Sequence, residues 1–456
     1  MTMQTPNTMR IMRRHVMRPL MVALLAGAAV GCDKTLTVEP TTEVEESQAI
    51  IDAASARAAL AGAYDALQSG SYYGGDFLFL SDLASDDVAH VGTFTTYADI
   101  DQHVTSADNS TLEGMWDAIY AGIGRANTLI AKVPNVTTLS EDERKDIVGQ
   151  AHLLRALHYH NLVKLWGPVP IRLAPPASLD ELTGTERATV AQVYTQILTD
   201  INQAQQLIST DYRTREGSWL AAEALKTRVL LYQGSNASVI TAANNVLDEG
   251  VELAPTFSSL FAASGNDTPE DIWRTSFTAT EYNLAGFYYL SKALGGRYEI
   301  APTAALRSSF ESGDERLAWS IQLDSRNRRF GAKWRSTEGA EDLHIIRLGE
   351  VLLNKAEAQV NQGDLAGAVE TYNLLRERAG VAPHTLGVEV TTATQVRDAV
   401  RAERRRELAF EGDRWPDLVR TQRAVTLLNI PAFRTLFPIP QNEIDVAPRI
   451  VQNSGY

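Results

Sequence analysis

Three histidines fall close together in the sequence, and imidazole is the side chain best suited to bind a metal ion or move a proton near neutral pH. His152, His158 and His160 are six and two positions apart. Two ligands on one helix face need to be three or four positions apart, so this spacing does not indicate a shared metal ion. We expect ordinary surface or core histidines.

Three aspartates, Asp82, Asp86 and Asp87, offer carboxylate oxygens of the kind that bind calcium or magnesium. Their spacing does not match an EF-hand loop. The interpretation that we favour is a loop whose aspartates cap neighbouring helices. The sequence therefore predicts neither a metal site nor a cofactor.

Motifs of enzyme active sites are absent from the sequence. It contains no Gly-x-Ser-x-Gly nucleophile elbow, no phosphate-binding loop ending in Gly-Lys and no His-Glu-x-x-His zinc motif. Paired carboxylates for glycoside hydrolysis stay open, because 56 acidic residues supply many pairs and no motif selects one. We predict a protein that is not an enzyme, with a surface glycan hydrolase as the alternative.

Aromatic side chains in loops could bind sugars, because a sugar stacks its C–H face on a ring and hydrogen-bonds through its hydroxyls. Trp273 and Phe277 share one face of a possible strand and are expected in the core. For each loop aromatic, ordinary packing is an equally good interpretation. The candidate ligand-binding residues are Tyr72, Tyr73, Phe94, Tyr97, Tyr282 and Trp319.

Cys32 is the only cysteine of the chain, and it follows a segment with the layout of a signal peptide. Four arginines precede the apolar run 20–30, which is shorter than the roughly 20 residues that a membrane-spanning helix needs. Gly31 supplies the small residue that lipoprotein signal peptidase requires before the cysteine. Acylation explains both the position and the number of cysteines, whereas an ordinary secretory signal leaves them to chance. We predict that residues 1–31 are removed and that Cys32 is the lipid anchor.

The formal net charge is −14, and it becomes −18 without residues 1–31, which hold four arginines and no acid. A strongly acidic protein repels nucleic acid and anionic lipid headgroups. We therefore expect no nucleic-acid partner, and membrane contact through the lipid anchor only. Polyanionic substrates are mildly disfavoured, and neutral sugars or peptides stay open.

Apolar residues recur at helical spacing through most of the chain. Residues 33–48 are polar and predict a tether, and residues 251–339 are rich in Gly, Ser, Thr and aromatics and predict loops with short strands. The predicted helices are 53–68, 112–132, 141–166, 190–208, 218–232, 238–247, 343–361, 365–378 and 394–411.

Two pairs of predicted helices share one layout. In residues 348–376, Gly363 turns the chain, and the small Ala368 lets the helices approach while Tyr372 fills the gap one turn later. A second pair spans 218–247 and turns at Gly234. This layout is typical of tetratricopeptide repeats, although two unrelated helical hairpins remain the alternative.

The run of arginines 404–406 could indicate nucleic-acid binding, but acidic residues interleave with it at helical spacing. Gly412 fits a helix end, and Asp413 can cap a new helix. We predict a structural corner. Arg155 and Asn127, which lie on otherwise apolar helices, are expected to be buried polar groups with hydrogen-bond partners.

Several stretches of the chain resemble, in order, the motifs of the SusD/RagB family of outer-membrane nutrient-uptake lipoproteins. Among them, Glu403–Arg420 resembles the C-terminal signature of the family. Pro416, where an aromatic is common, and Ala29, in place of the usual leucine of the anchor motif, are the visible departures. The other matching stretches are Cys32–Pro40, Trp116–Asn127, Gln150–Ile171, Asp342–Val381, Leu436–Ile444 and Gln452–Tyr456.

The resemblance implies a mainly α fold, in which tetratricopeptide-like helix pairs form a right-handed superhelical scaffold and a loop-rich, irregular ligand-binding portion packs on it. It implies a signal peptide at residues 1–31, a tether at 32–48, an N-terminal SusD-like helical region at 49–250 and a C-terminal RagB/SusD region at 251–456. The C-terminal region would consist of a loop-rich insert, residues 251–339, and a helical repeat with the closing segment, residues 340–456.

The resemblance also implies a function. Such a protein binds an oligosaccharide or other small nutrient at the cell surface and passes it to a SusC-like TonB-dependent β-barrel transporter in the outer membrane. The family motifs transfer no specific binding residues, and they do not select the glycan or peptide. A helical-repeat scaffold that binds only protein is a further alternative, beside the glycan hydrolase.

Overall fold

Helices dominate the computed structural model, which describes residues 50–175, 183–209, 211–261 and 267–456. The predicted signal peptide, the tether and Cys32 lie outside the described residues. The helices, numbered in chain order over the described residues, are α1 Ala53–Gln68, α2 Asp76–Leu83, α3 Thr95–Asp101, α4 Ser110–Lys132, α5 Glu141–Trp166, α6 Val190–Leu207, α7 Trp219–Tyr232, α8 Asn236–Asp248, α9 Ala285–Tyr289, α10 Ala304–Ser309, α11 Glu315–Ser320, α12 Leu348–Gln362, α13 Leu365–Arg378, α14 Ala393–Glu407, α15 Arg414–Arg420, α16 Ala424–Leu428 and α17 Gln441–Val446.

The long helices begin at side chains that satisfy the free backbone N–H groups of a first turn. The Asn109 side chain accepts hydrogen bonds from the backbone of residues 111 and 112 at the start of α4. Ser140 accepts from the backbone N–H of Glu143 and starts α5, as the sequence predicts. Thr189 starts α6 with a complete capping box.

The predicted helix pair 348–376 is confirmed. Gly363 ends α12 in the left-handed conformation, with φ +85°, which glycine adopts without steric cost. Ala368 and Tyr372 of α13 are fully buried against Ala356 of α12. Val396 of α14 belongs to the same apolar core, so a third helix covers the pair.

Consecutive helices pack side by side along the chain. Helix α5 lies between α4 and α6, α7 pairs with α8, and α8 packs on α12, which in turn contacts α13 and α14. Each pair buries its apolar face on the next pair, as in a helical repeat protein. The mainly α class and the tetratricopeptide-like arrangement of helices are therefore confirmed.

Short strands supply the remaining regular structure. They form three two-stranded antiparallel sheets, β1 with β3, β2 with β6 and β4 with β5. Sheet β2–β6 carries Trp273 in the core, as predicted, and it leads directly into α12. In chain order, the strands are β1 Val88–His90, β2 Asp271–Thr275, β3 Ile300–Pro302, β4 Ile321–Leu323, β5 Arg329–Gly331 and β6 Leu343–Arg347.

Two predicted helix boundaries are wrong. The helix predicted from residue 343 begins at Leu348, because residues 343–347 pair with β2 as a strand. The helix predicted to end at residue 411 ends at Glu407. Its continuation is blocked because Phe410 and Gly412 adopt positive φ values of 65° and 71°.

The predicted corner after α14 is confirmed, but the Asp413 side chain does not cap α15, because it accepts hydrogen bonds from Arg404 instead. The charges of the corner pair with distant segments and not mainly within the helix. The Arg347 guanidinium donates to Glu407 at 2.6 Å and to Glu411 at 2.8 Å. Glu407 also accepts from Arg316 at 3.2 Å and from Arg378 at 2.5 Å. We name these five residues the buried ion network; each of these side chains except that of Glu411 is at most 4% exposed, and Glu411 is 9% exposed.

The arginines 404–406 form ion pairs with acidic residues of the protein and do not form a basic surface. Arg404 donates to Asp413 at 2.7 Å, and Arg405 to Asp87 at 2.6 Å. The buried polar groups predicted on α4 and α5 are confirmed, because Arg155 donates to Asn127 at 2.8 Å as well as to Asp200.

Residues 50–456 form one compact unit. The regions 49–250 and 251–456 that the sequence distinguishes differ in local structure, and the boundary between them remains a prediction. The insert 251–339 contains the predicted strands, and it also contains the short helices α9, α10 and α11. None of the helices among the described residues is long and apolar enough to cross a membrane.

Candidate ligand-binding site

Residues 278–289, a loop that runs into the short helix α9, present the aromatic side chain of Tyr282 to solvent. Asn283, which is 1% exposed, donates through its side chain to the carbonyl oxygens of Gly339 at 3.0 Å and Glu341 at 2.7 Å. These bonds fix the backbone on one side of Tyr282. The Tyr282 side chain is 55% exposed.

An open cleft lies beside Tyr282, between this loop and the helices α1 and α4. Its volume is about 350 Å³, within the range of about 300 to 1,000 Å³ that small-molecule sites occupy. The cleft combines one aromatic ring with several side chains that donate or accept hydrogen bonds. These residues are Asp65, Gln68, Ser69, Arg125, Thr280, Glu281 and Tyr282.

The polar side chains of the cleft come from two helices and are partly oriented before any ligand binds. Arg125 of α4 donates to Asp65 of α1 at 2.8 Å, and both side chains remain about half exposed. Gln68 donates to the carbonyl oxygen of Ser276 at 2.6 Å, so its own carbonyl oxygen remains available. Groups of this kind can bind sugar hydroxyls next to the Tyr282 ring.

A second group of rings flanks the same loop. Phe94, Tyr97 and Tyr288 pack edge to face, with centroid distances of 5.4, 5.9 and 6.1 Å. Tyr97 donates to Asp76 at 2.5 Å. Burial raises the pKa of Asp76 to about 6, against the effect of this hydrogen bond. Phe94 and Tyr288 are half-buried, so an edge of this group is accessible to solvent.

Glu299 positions the segment that carries Phe94. It accepts hydrogen bonds from the backbone N–H of Thr93 at 2.6 Å and of Phe94 at 2.7 Å. Burial alone would raise its pKa, but the hydrogen bonds from Arg297 and from the backbone outweigh burial and lower the pKa to about 2. The Arg297 guanidinium, held by Glu299, lies 4.1 Å from the centroid of the Phe94 ring.

Under this aromatic group, the buried carboxyl of Asp82 supports the next tyrosine of the loop. The Tyr289 hydroxyl donates to Asp82 at 2.5 Å, and both side chains are in the core. Burial raises the pKa of Asp82 to about 8, although the hydrogen bond from Tyr289 acts in the opposite direction. Burial thus favours the protonated form of the Asp82 carboxyl in the folded protein.

Asp82→Asn should remove a pH dependence of stability. The folded pKa of Asp82, about 8, lies above the unfolded value of 3.8, so stability falls as the pH rises from about 4 to about 8. We expect the melting temperature of the wild type to fall more steeply over this range than that of Asp82→Asn. Asp108→Asn, at an exposed aspartate, is the control. Equal slopes for the wild type and Asp82→Asn would contradict the assignment.

Three of the six predicted aromatic residues lie in the core. Tyr72, Tyr73 and Tyr97 are 0%, 3% and 4% exposed. The Asn161 side chain donates to both the Tyr72 and Tyr73 hydroxyls, at 2.7 and 3.1 Å, and Tyr72 also contacts His158 at 3.1 Å. These three side chains are thus buried in the structure and not exposed on loops, and a role for them in ligand binding stays a prediction.

The other three predicted residues reach the surface but do not form one stack. Tyr282 borders the cleft and Phe94 lies in the adjacent aromatic group. Trp319 belongs to α11, and the guanidinium of Arg335 covers one face of its ring at 3.4 Å from the centroid. The structure thus places Tyr282 at the cleft and Phe94 against Tyr288, and Trp319 belongs to neither group.

Sequence reasoning missed Tyr288, Arg297 and the cleft residues of α1 and α4. The run of three aromatics from Phe287 to Tyr289, inside a segment without helical spacing, was a signal for Tyr288. The sequence gave no signal that Arg125 and Asp65 would border a cleft, because an isolated polar residue on an amphipathic helix is expected on the solvent face of that helix.

The residues considered as metal ligands have other partners. Asp86 accepts a hydrogen bond from Arg414 at 2.7 Å, and Asp87 accepts one from Arg405. Both aspartates therefore pair with arginines and do not cap a helix. His152 contacts Asp200 at 2.7 Å, whereas His158 and His160 are in the core. Across the described ranges, no cluster of three or more His, Cys, Asp or Glu side chains is placed to hold a metal ion.

Two family models match the chain. Residues 33–231 match a model described as starch-binding and associating with the outer membrane, and residues 324–432 match the SusD family model. Both the N-terminal helices and the buried corner after α14 fall inside these matches. The chain belongs to the SusD/RagB family.

Similar proteins cover nearly the whole chain. SusD-like protein P38 of Formosa agariphila is 24% identical, over 97% of this chain and 99% of that protein. A SusD superfamily protein of Bacteroides vulgatus has a TM-score of 0.81 at 20% identity, over 88% of this chain and 99% of its own. A laminarin-binding SusD-like protein has a TM-score of 0.78 at 24% identity, over 89% and 100%. The SusD fold thus extends through the scaffold and the insert.

Proposed function

We propose that this protein is a cell-surface glycan-binding lipoprotein that delivers oligosaccharides to a TonB-dependent transporter of the outer membrane. The observation that carries the proposal is the open cleft in which the exposed Tyr282 ring stands beside Asp65, Gln68 and Arg125. A flat apolar ring next to hydrogen-bonding groups suits a sugar, which has apolar C–H faces and polar edges.

Family membership supports the choice of ligand class. One matching family model is described as starch-binding, and one similar structure is of a laminarin-binding protein. The cleft lies on the insert and on the helices beneath it, away from the repeat pair α12–α13. The cleft carboxylate of Asp65 forms an ion pair with Arg125. This pairing agrees with a role in binding, in which both groups contact the ligand through hydrogen bonds.

Attachment and delivery complete the proposal. Acylation of Cys32 would hold the protein at the membrane, and the polar residues 33–48 would let the folded part stand above it. The SusC-like transporter is implied by membership in the SusD/RagB family. Isolation of the protein from outer membranes together with a large TonB-dependent transporter would test this part of the proposal.

Tyr282→Ala should weaken oligosaccharide binding by about tenfold or more, because the ring supplies the stacking surface of the cleft. A glycan array with the purified protein would first identify a bound oligosaccharide, and calorimetry would then compare the variants. Tyr212→Ala is the matched control, since Tyr212 is 53% exposed and does not line the cleft. Unchanged binding by Tyr282→Ala, or equal weakening by both variants, would place the site elsewhere.

The same samples separate binding from hydrolysis. A bound oligosaccharide that is recovered intact supports the binding protein, whereas release of new reducing ends by the wild type contradicts it. The contradiction would be complete if substitution of a cleft carboxylate, as in Asp65→Asn, abolished that release.

A further inference from the structure

The charged side chains that line the cleft do not balance one another. They are two carboxylates, Asp65 and Glu281, and one guanidinium, Arg125. Arg125 donates to Asp65 at 2.8 Å, so these two charges offset each other. Within the part of the chain that the structure describes, the exposed Glu281 carboxylate forms no ion pair. The lining therefore carries one negative charge to which the protein brings no counter-charge.

Two arginines on neighbouring segments are engaged with other acids. The backbone N–H of Arg335 donates to Glu341 at 3.0 Å, and the charge of Glu341 also attracts the Arg335 guanidinium. The Arg297 guanidinium donates to Glu299 at 2.7 Å. Both arginines thus have carboxylates of their own, and neither is the partner of Glu281.

The Tyr282 ring also lacks a cation, unlike two other aromatic rings that reach the surface. The Arg297 guanidinium lies 4.1 Å from the centroid of the Phe94 ring. The Arg335 guanidinium lies 3.4 Å from the centroid of the Trp319 ring. Across the described ranges, no cation lies over the Tyr282 ring and no other ring packs on it. A cation is attracted to the face of a ring, and at Tyr282 the ligand can supply it.

The backbone that carries Glu281 and Tyr282 is fixed on both sides. On one side, the Thr278 N–H donates to the carbonyl oxygen of Glu281 at 3.0 Å, and the Glu281 N–H donates to the Thr278 hydroxyl at 3.1 Å. On the other side, the Asn283 N–H donates to the carbonyl oxygen of Gly339 at 2.9 Å. The carboxylate and the ring therefore start from a defined position.

Gly339 lets its own loop pack directly against this backbone. A Cβ at residue 339 would overlap the carbonyl oxygen of Asn283 and lie 3.0 Å from the Cβ of Tyr282. Gly339 also has a φ of +68°, which glycine adopts without steric cost. A rigid support of this kind lowers the conformational entropy that binding has to overcome.

An ammonium group matches what Glu281 and Tyr282 offer together. The carboxylate can accept charge-assisted hydrogen bonds from it, and the ring can attract it through the π electrons. Both side chains line one cleft of about 350 Å³, so a single ligand can contact both. An anionic group would instead meet the uncompensated carboxylate and be repelled.

We propose that the ligand is a glycan with unacetylated amino sugars, whose ammonium group binds between the Glu281 carboxylate and the Tyr282 ring. This inference rests on the proposed function and specifies its ligand class. The side chains of Asp65, Gln68 and Arg125 line the same cleft and can bind the hydroxyl groups of the sugar, which a simple amine does not have. The net charge of −14 also favours a cationic ligand.

Calorimetry with the tetramers of chitosan, chitin and cellulose tests the ligand class. The three tetramers share one linkage and one length, and at the same carbon of each sugar they carry an ammonium, an acetamide and a hydroxyl group. We expect the chitosan tetramer to bind most tightly, with an affinity that falls as salt is added.

Glu281→Gln should weaken binding of the chitosan tetramer by about tenfold, because it removes the charge from one hydrogen-bonding partner. Any binding of the cellulose tetramer should weaken by less. Glu249→Gln is the matched control, since Glu249 follows α8, is exposed and does not line the cleft. It changes the net charge equally and should bind the chitosan tetramer like the wild type. Unchanged melting temperatures verify that the variants fold.

Several outcomes would overturn the inference. Equal weakening by Glu281→Gln and Glu249→Gln would assign the effect to net charge. Tighter binding of tetralysine than of the chitosan tetramer would make the ligand a peptide. Preferred binding of a glycan without an amine, lost in Tyr282→Ala, would refute the ammonium and leave the proposed function intact. If no oligosaccharide binds at all, the proposed function itself fails.

Discussion

Glu407→Ala is expected to lower the free energy of unfolding by about 3 to 5 kcal/mol, because it removes one partner from a fully buried group of charges. Glu407 is 0% exposed and accepts hydrogen bonds from Arg316, Arg347 and Arg378. Burial alone would raise its pKa, but these three guanidinium groups hold that pKa far below its usual range. Without Glu407, the arginines remain buried with too few counter-charges. Urea unfolding followed by circular dichroism measures the change.

Glu377→Ala is the matched control for this prediction. Glu377 is an exposed glutamate of α13, and its loss should change the free energy of unfolding by no more than about 0.5 kcal/mol. If both variants unfold like the wild type, the buried ion network does not stabilise the fold.

The same network predicts sensitivity to acid. The pKa of Glu411 is about 2 in the folded protein, where burial is outweighed by Arg347 and Lys333, against 4.5 for a free glutamate. A lowered folded pKa stabilises the protein above the unfolded pKa and loses this effect as the pH falls through the folded pKa. The wild type should therefore lose stability between pH 4.5 and pH 2.

Cys32→Ala should move nearly all of the protein from the outer membrane to the soluble fraction. Two or three acyl chains on this residue would hold the protein stably, whereas the described residues contain no helix able to cross a membrane. Immunoblots of carbonate-washed outer membranes and of the soluble fraction measure the distribution.

Gly31→Ala provides the control for this experiment, because alanine keeps a small residue before the cysteine and should preserve anchoring. Persistence of Cys32→Ala in washed outer membranes, at the level of Gly31→Ala, would rule out a lipid anchor at this residue.

Much of the helical scaffold could be predicted from the sequence, because its causes are local. Ser140 caps α5, Gly363 ends α12, and Ala368 with Tyr372 sets the spacing of one helix pair, all within a few residues of where they act. The strand before α12 could not be predicted in this way. Its apolar residues suit either a helix or a strand, and the partner that decides is the strand at 271–275.

The candidate site was harder to predict than the scaffold because exposure depends on distant neighbours. Tyr72 and Tyr282 both lie in segments rich in glycine or threonine, yet only Tyr282 reaches solvent. Asn161, on a helix far along the chain, covers the Tyr72 hydroxyl.

The turn of the hairpin β4–β5 is closed by its own atoms. Asp324 accepts from the backbone N–H groups of Arg326 and Arg328, both at 2.9 Å, and its own N–H donates to the carbonyl oxygen of Arg328. Among the described residues, no ion pair joins this turn to the buried ion network, so we expect a different turn sequence to have little effect on folding.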